Sequence, residues 1–248
     1  MSLPRVLLVE DDASIARFVQ MALDELPIEL ICCTNVQAAM QALRAEGVRL
    51  VITDLMLPGE SGLDLVQRIV NDPGVHSTVP VAVFSAGLTP PVREQLQALN
   101  VWRMVSKPAS VLDLGACVRD ALALPVHPAA SSTNADPKGQ ALTDSPLPDA
   151  QAEAIATHFA GDAFLFQAYR SSCVRQFPAD VRQGDAACAT KDWPALRRLA
   201  HSLGTVLLTL GYPAQSSAAR QLEDMAAQAN ADACLAQWPA LKASLSQL

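Results

Sequence analysis

No two of the eleven glycines in this 248-residue chain are separated by a single residue, so the G-x-G loop that cradles a nucleotide's phosphates is absent. The six cysteines, Cys32, Cys33, Cys117, Cys173, Cys188 and Cys234, form no C-x-x-C pair. That removes the common zinc and dithiol readings and leaves buried free thiols as the expectation. Half of the residues are hydrophobic, yet the uninterrupted apolar runs are too short to span a bilayer. The N-terminus also lacks the basic-then-apolar layout of a signal peptide, so a cytoplasmic protein without a membrane partner is expected. Strongly basic segments are missing as well. Acids and bases number 14 and 9 over residues 1–124, 2 and 1 over 125–148, and 9 and 8 over 149–248. Nucleic acid is therefore not an expected partner, and the C-terminal part shows no recognition helix with a basic face.

The chain is long enough for two domains, each with its own core. From residue 5 to about 124, strand-like runs alternate with amphipathic stretches short enough to be crossovers between parallel strands. The runs are Val6 to Val9, Ile28 to Cys33, Leu50 to Thr53, Val81 to Phe84 and Val101 to Val105. Ile15, Phe18, Val19, Ala22, Leu23 and Leu26 give the first helix its period, Pro27 stops it, and a second helix runs from Val36 to Ala45. Residues 125–148 hold five prolines among Ala, Ser and Thr without an apolar period, which marks a linker. It would span roughly 27 Å as a coil and about 75 Å as polyproline II, which leaves room for its flanking domains to meet. Beyond residue 149 only helical signals remain, at about 150–160, 162–176, 179–189, 194–210, 213–229 and 232–246. Pro178, Pro194, Pro213 and Pro239 are read near helix starts, and an all-α bundle follows.

Glu10, Asp11, Asp54, Ser85 and Lys107 each fall at or just past the end of an apolar run. Ligands of open parallel sheets bind at the carboxyl ends of strands, so one sheet gathers these side chains at a single edge. Moving a phosphoryl group between side chains needs an in-line nucleophile, a divalent cation and a positive group to hold the product. Asp54 suits the nucleophile, and Glu10 and Asp11 bring enough charge to hold Mg²⁺ with the Met56 carbonyl completing its shell. Lys107 would pair with the phosphate and Ser85 would offer its hydroxyl to a phosphate oxygen. Taken singly, an Asp after a strand is commonly a cap and a Lys-Pro commonly a loop.

The segments VEDD, DLMLPGESG, FSA and SKP, in this order and spacing, resemble the receiver domain of bacterial response regulators over roughly residues 4–124. The resemblance implies a five-stranded doubly wound sheet of order 2-1-3-4-5, in which Asp54 accepts phosphate from a phosphohistidine. It places Glu10 and Asp11 in the metal pair and leaves Asp12 to start the first helix. Met104 stands where the family usually carries an aromatic, with Trp102 two positions earlier.

Within Ala195 to Leu210 the apolar stripe is Leu196, Leu199, Ala200, Leu203, Leu207 and Leu210. At ~100° per residue His201 points about 160° from its centre, so an outward-facing imidazole is expected; many such histidines are plain surface residues. DWPALRRLAHSLGTVLLTLG, followed by Leu222-Glu223, resembles the histidine phosphotransfer (HPt) domain, a helical bundle with one phosphoaccepting histidine. That resemblance, over 149–248, makes His201 the phosphoacceptor. Arg197 and Arg198 sit one turn back, where a cation can help hold phosphate. Gly204 replaces the family's usual lysine and Thr205 its usual glycine. Leu208 lies on the same face two turns along and hints at a docking surface.

The expected architecture is thus a receiver over 1–124, a linker over 125–148 and an HPt-like bundle over 149–248. The expected function is a two-component phosphorelay, with a separate sensor histidine kinase or other phosphorelay protein as partner and room for a receiver–HPt contact within one chain. Relaying phosphate is not turnover of a metabolite, so the chain is not expected to be an enzyme. The alternative is a phosphorylation-gated binding module whose altered helical domain docks partners without transferring phosphate.

Overall fold

The computed structural model describes residues 3–44, 47–72, 75, 79–123 and 149–248. The linker expected over 125–148 lies outside the described residues, as does Ala45. The first half alternates β1 (Arg5–Val9), α1 (Ala13–Leu23), β2 (Glu29–Cys33), α2 (Val36–Arg44), β3 (Val48–Thr53), α3 (Gly62–Asn71), β4 (Val81–Ser85), α4 (Pro90–Ala98), β5 (Arg103–Ser106) and α5 (Val111–Leu122). All strand pairs are parallel and the sheet order is β2-β1-β3-β4-β5, as the resemblance implied. Alternate side chains of a strand face opposite ways. Accordingly Val6, Leu8, Leu50, Ile52, Ala82 and Phe84 pack with α1 and α5, while Leu7, Val9, Val51 and Val83 pack with α2, α3 and α4.

Caps fix where the helices begin. Asp12 Oδ1 accepts from the amides of Ser14 and Ile15, each at 2.9 Å, which starts α1 directly behind the acidic strand end. Ser61 and Asp64 close a capping box on α3, and Ser110 and Asp113 another on α5.

The second half is all helix: α6 (Asp149–His158), α7 (Ala163–Thr190), α8 (Trp193–Thr209), α9 (Pro213–Ala227) and α10 (Ala231–Leu245). Pro194 and Pro213 occupy first turns as expected. Pro178 does not: one helix runs through it where two were expected, and Pro239 likewise sits inside α10. A proline removes one amide donor. The buried line Phe166, Tyr169, Cys173, Phe177, Ala187 and Cys188 continues past Pro178, and that packing outweighs the lost bond. The cysteines are all free, but only four are buried; Cys32 is exposed and Cys33 half-buried because β2 is an edge strand.

The α1 side of the sheet does not end in solvent. Phe18 packs edge-on against Phe159, with centroids 5.5 Å apart, and against Tyr169 at 5.3 Å, so one apolar core runs from the sheet into the bundle. Burying such a ring contributes about 1.5–3 kcal/mol, and each aromatic pair about 0.5–1.5 kcal/mol more. Among the described residues no helix is long and apolar enough to cross a membrane.

Candidate functional site

The strand ends bring four of the expected side chains into contact. Lys107 follows β5, and its Nζ lies 2.6 Å from Glu10 Oε2 and 2.8 Å from Asp54 Oδ2, all three side chains being buried. Ser85 closes β4 and hydrogen-bonds to the Asp54 side chain, while its Oγ accepts from the Gly87 amide at 3.3 Å. Asp54 Oδ1 accepts from the Leu55 amide at 2.6 Å. The Lys107–Pro108 peptide is cis.

One ammonium serves more than one acid, and the charges divide accordingly. Burial alone would push Asp54 up, but Lys107, the Ser85 hydroxyl and a smaller effect of His201 hold its carboxyl below the ordinary range. Burial would push Lys107 down, yet Asp54 and Glu10 hold it well above the usual amine range. Glu10 pays the desolvation: burial raises it to about 8, partly opposed by Lys107. Asp11, half-buried beside it, is raised to about 6, again chiefly by burial.

Among the described residues no group of three or more His, Cys, Asp and Glu forms a ready-made metal cluster. The donors nonetheless suit a hard dication. Glu10, Asp11 and Asp54 are carboxylates around one corner with a single ammonium between them, and burial raises Glu10 and Asp11, a desolvation that a bound cation would offset. Met56 lines the neighbouring cavity.

His201 departs from the expectation of an open surface. The stripe residues of α8 are buried as expected, but the opposite face is buried too, and His201 is only 2% exposed. It is not sealed among the bundle's apolar residues. Ser202 hydrogen-bonds to Asp12 at the sheet edge, and Thr205 and Thr209 line a crevice with Ile15, Phe18, Phe84, Pro108 and Ala109. The α8 face bearing the imidazole therefore meets the acidic end of the sheet, which amphipathic reading of one helix cannot reveal. His201 affects the Asp54 carboxyl electrostatically across that junction.

The ring is held by one nitrogen. His201 Nδ1 lies 2.7 Å from Glu223 Oε1 on α9. Burial alone would raise Glu223, but His201 and Arg220 pull it below the ordinary range, so it is an ionised acceptor. Nδ1 must then carry the proton, an assignment made from this network. Nε2 is buried and without a hydrogen-bond partner.

Among the described residues, Arg197 and Arg198 form no hydrogen bond with the His201 side chain. They line, with Pro194, one wall of a cavity of about 450 Å³ whose other wall includes Met56, Gly59, Ser61, Ser85 and Gly87. The cation beside His201 is Arg220, whose Nη1 lies 3.2 Å from Nδ1 and donates to Glu223 Oε2 at 2.9 Å. Gly204 and Thr205 both face this arginine: Nη2 donates to Thr205 Oγ1 at 3.1 Å. Leu208 is 37% exposed and borders a recess with Pro108, Ala154 and His158. Glu223 and Arg220 carried no assigned role in the sequence because they sit on a different helix from His201; only the 22-residue pairing across α8 and α9 discloses them.

A family model described as response regulator receiver domain matches residues 6–119, and one described as Hpt domain matches residues 168–248. The sensory/regulatory protein RpfC of Xanthomonas campestris pv. campestris is 28% identical over 236 residues, covering 89% of this chain and 30% of that protein. The virulence sensor protein BvgS of Bordetella pertussis is 28% identical over 204 residues, covering 80% and 16% respectively. This chain thus spans under a third of those two relatives. The signal receiver domain of an HD domain-containing protein from Pseudomonas fluorescens Pf-5 is 25% identical, covers 50% of this chain and 89% of that one, and gives a TM-score of 0.46.

Proposed function

Because the chain carries a response regulator receiver domain followed by an Hpt domain, we propose that it is a two-component phosphorelay protein in which Asp54 and His201 are the two phosphoacceptors. The domains are assigned as 1–124 and 149–248, joined by 125–148. A partner's phosphohistidine, on a sensor histidine kinase or another relay protein, is the phosphate source. An Asp54 carboxylate oxygen attacks phosphorus, a P–O bond forms, the P–N bond breaks, and the departing imidazole nitrogen takes up a proton. In the second exchange His201 Nε2 attacks the same phosphorus and the Asp54 carboxylate leaves. The reverse sequence uses the same atoms.

The observation that carries this reading is the pairing of an ionised Asp54 with a histidine whose buried Nε2 has no partner. A nucleophile must keep a free lone pair, and an interior nitrogen without a hydrogen bond is costly unless a reactant uses it. Lys107 keeps Asp54 ionised and stays beside the phosphoryl oxygens after transfer, with Ser85 as a hydroxyl donor. Mg²⁺ would be held by Glu10, Asp11, Asp54 and the Met56 carbonyl, and would neutralise charge on the phosphoryl oxygens. The junction of α1 with α7 and α8 supports exchange within one chain as well as with a partner.

Labelled transfer with Asp54→Asn and His201→Gln variants tests the assignment. Phosphohistidine survives base and is lost in acid, whereas aspartyl phosphate is lost in base. Acid-labile, base-stable label that disappears in His201→Gln is the expected result; label confined to Asp54 would overturn the role of His201.

A further inference from the structure

Arg220 reaches His201 by passing α8 at Gly204. A Cβ built on Gly204 would stand 2.8 Å from Arg220 Nε and 3.1 Å from its Cδ and Cζ. Any side chain at 204 therefore displaces the guanidinium. The two helices are drawn together just there, since Ser216 Oγ donates to the Gly204 carbonyl at 2.7 Å. From this seat the planar fork makes two separate bonds, to Glu223 Oε2 at 2.9 Å and Thr205 Oγ1 at 3.1 Å.

The contact with the ring is of another kind. Arg220 Nη1 is 3.2 Å from Nδ1, but a nitrogen that donates its own proton to Glu223 cannot also accept one. The arginine thus fixes Glu223, Glu223 fixes Nδ1, and the positive charge stands beside the ring without occupying Nε2. A phosphoryl group arriving at Nε2 brings negative charge into a buried place where Asp54 and Glu223 are already ionised. Among the described residues Arg220 is the cation nearest to the imidazole on the helical side of that junction.

We propose that Arg220 is a positioning residue for phosphoryl exchange at His201, holding Glu223 on Nδ1 and supplying the fixed positive charge beside the phosphorylated ring, and that Gly204 exists to seat it. The proposal rests on His201 being the phosphoacceptor. It also assigns Gly204 a purpose: the charge missing from α8 is delivered from α9 through the space that the glycine leaves.

The test uses the full chain with Mg²⁺ and radiolabelled acetyl phosphate as donor, following base-stable label on His201 and base-labile label on Asp54 separately. Arg220→Met is expected to slow His201 labelling about tenfold, the weight of one charge-assisted contact, with Asp54 labelling unchanged. Arg220→Lys is expected to recover part of the rate, and Gly204→Ala to lose it although Arg220 is present. Nitrogen NMR of the imidazole gives a second readout, with Nδ1 protonated in the parent and a mixture of tautomers in Arg220→Met. Parent-like labelling in Arg220→Met, or a parent ring protonated at Nε2, would overturn the proposal whether or not the variants fold well. Absence of histidine label in the parent protein would instead overturn the phosphoacceptor role itself, and this proposal with it.

Discussion

Gly62, the first residue of α3, lies so close under Asp54 that a Cβ on it would be driven into the Asp54 carbonyl oxygen and would stand 2.8 Å from the Asp54 carbonyl carbon. Its amide donates to the Leu55 carbonyl at 3.0 Å, which ties the start of α3 to the loop that follows Asp54. The backbone around Asp54 is therefore positioned by the absence of a side chain eight residues later.

Gly62→Ala is expected to cost about 3 kcal/mol, the range for forcing a methyl group into a close-packed site, because the atoms it meets are backbone. The displaced loop should also slow labelling of Asp54. Urea midpoints and the labelling assay check both, and an unchanged midpoint would show that the loop has slack.

Stability without metal should fall as pH rises from about 5 to 8. Glu10 is raised to about 8 by burial, and Asp11 and Asp180 to about 6, so in this interval the folded protein retains protons that the unfolded chain has released. With fewer protons bound in the unfolded state, the slope of unfolding free energy against pH is negative, by about 1.4 kcal/mol per pH unit for each proton that only the folded state retains. Mg²⁺ needs the deprotonated acids, so its affinity should rise over the same interval and its removal should hurt most at the alkaline end. Urea titrations at about pH 6 and 8, with and without Mg²⁺, decide this; stability rising with pH in the absence of metal would contradict it.

Phe18→Ala should loosen the junction between sheet and bundle. The ring is buried against Phe159 and Tyr169, and its loss should cost about 3 kcal/mol. Labelling of Asp54 should persist while transfer from Asp54 to His201 within the chain slows, and small-angle scattering should show a larger radius of gyration. Unchanged scattering would mean that the aromatic contact does not hold the halves together.

Glu223→Gln should cost about 1 kcal/mol at neutral pH, since a charge-assisted bond to Nδ1 becomes a neutral one. Glu223 is held below the ordinary carboxylate range by His201 and Arg220 against the pull of burial. A depressed acid stabilises the fold above its unfolded pKa and loses that contribution as pH falls through the folded value. The parent should therefore lose stability over an acid interval below about pH 4.5 in which the variant loses less; superimposable acid limbs would refute this.

The sheet and its carboxylate-bearing edge were legible in the sequence because both depend on local order. Apolar runs become strands, their last residues become the carboxyl edge, and Glu10, Asp54, Ser85 and Lys107 meet there. The order of the strands came from the family resemblance, since periodicity does not encode it. The burial of His201 was hidden because a helical wheel knows its own stripe and not what covers the other side. Pro178 misled for a related reason, as its local cost is set against buried residues on both sides of it. Arg220 was missed because its partners Thr205 and Glu223 belong to two helices and its seat is a residue with no side chain.

The continuous core from Phe18 to Tyr169 makes the chain its own competitor. On the relay reading proposed above, a foreign donor or acceptor would have to wait for the sheet edge and α8 to part, and its apparent affinity would be scaled down by the fraction of molecules that have done so. Signal throughput would thereby be tied to the strength of an aromatic contact, so that changing one ring would retune how readily outsiders are served without altering the chemistry they come for.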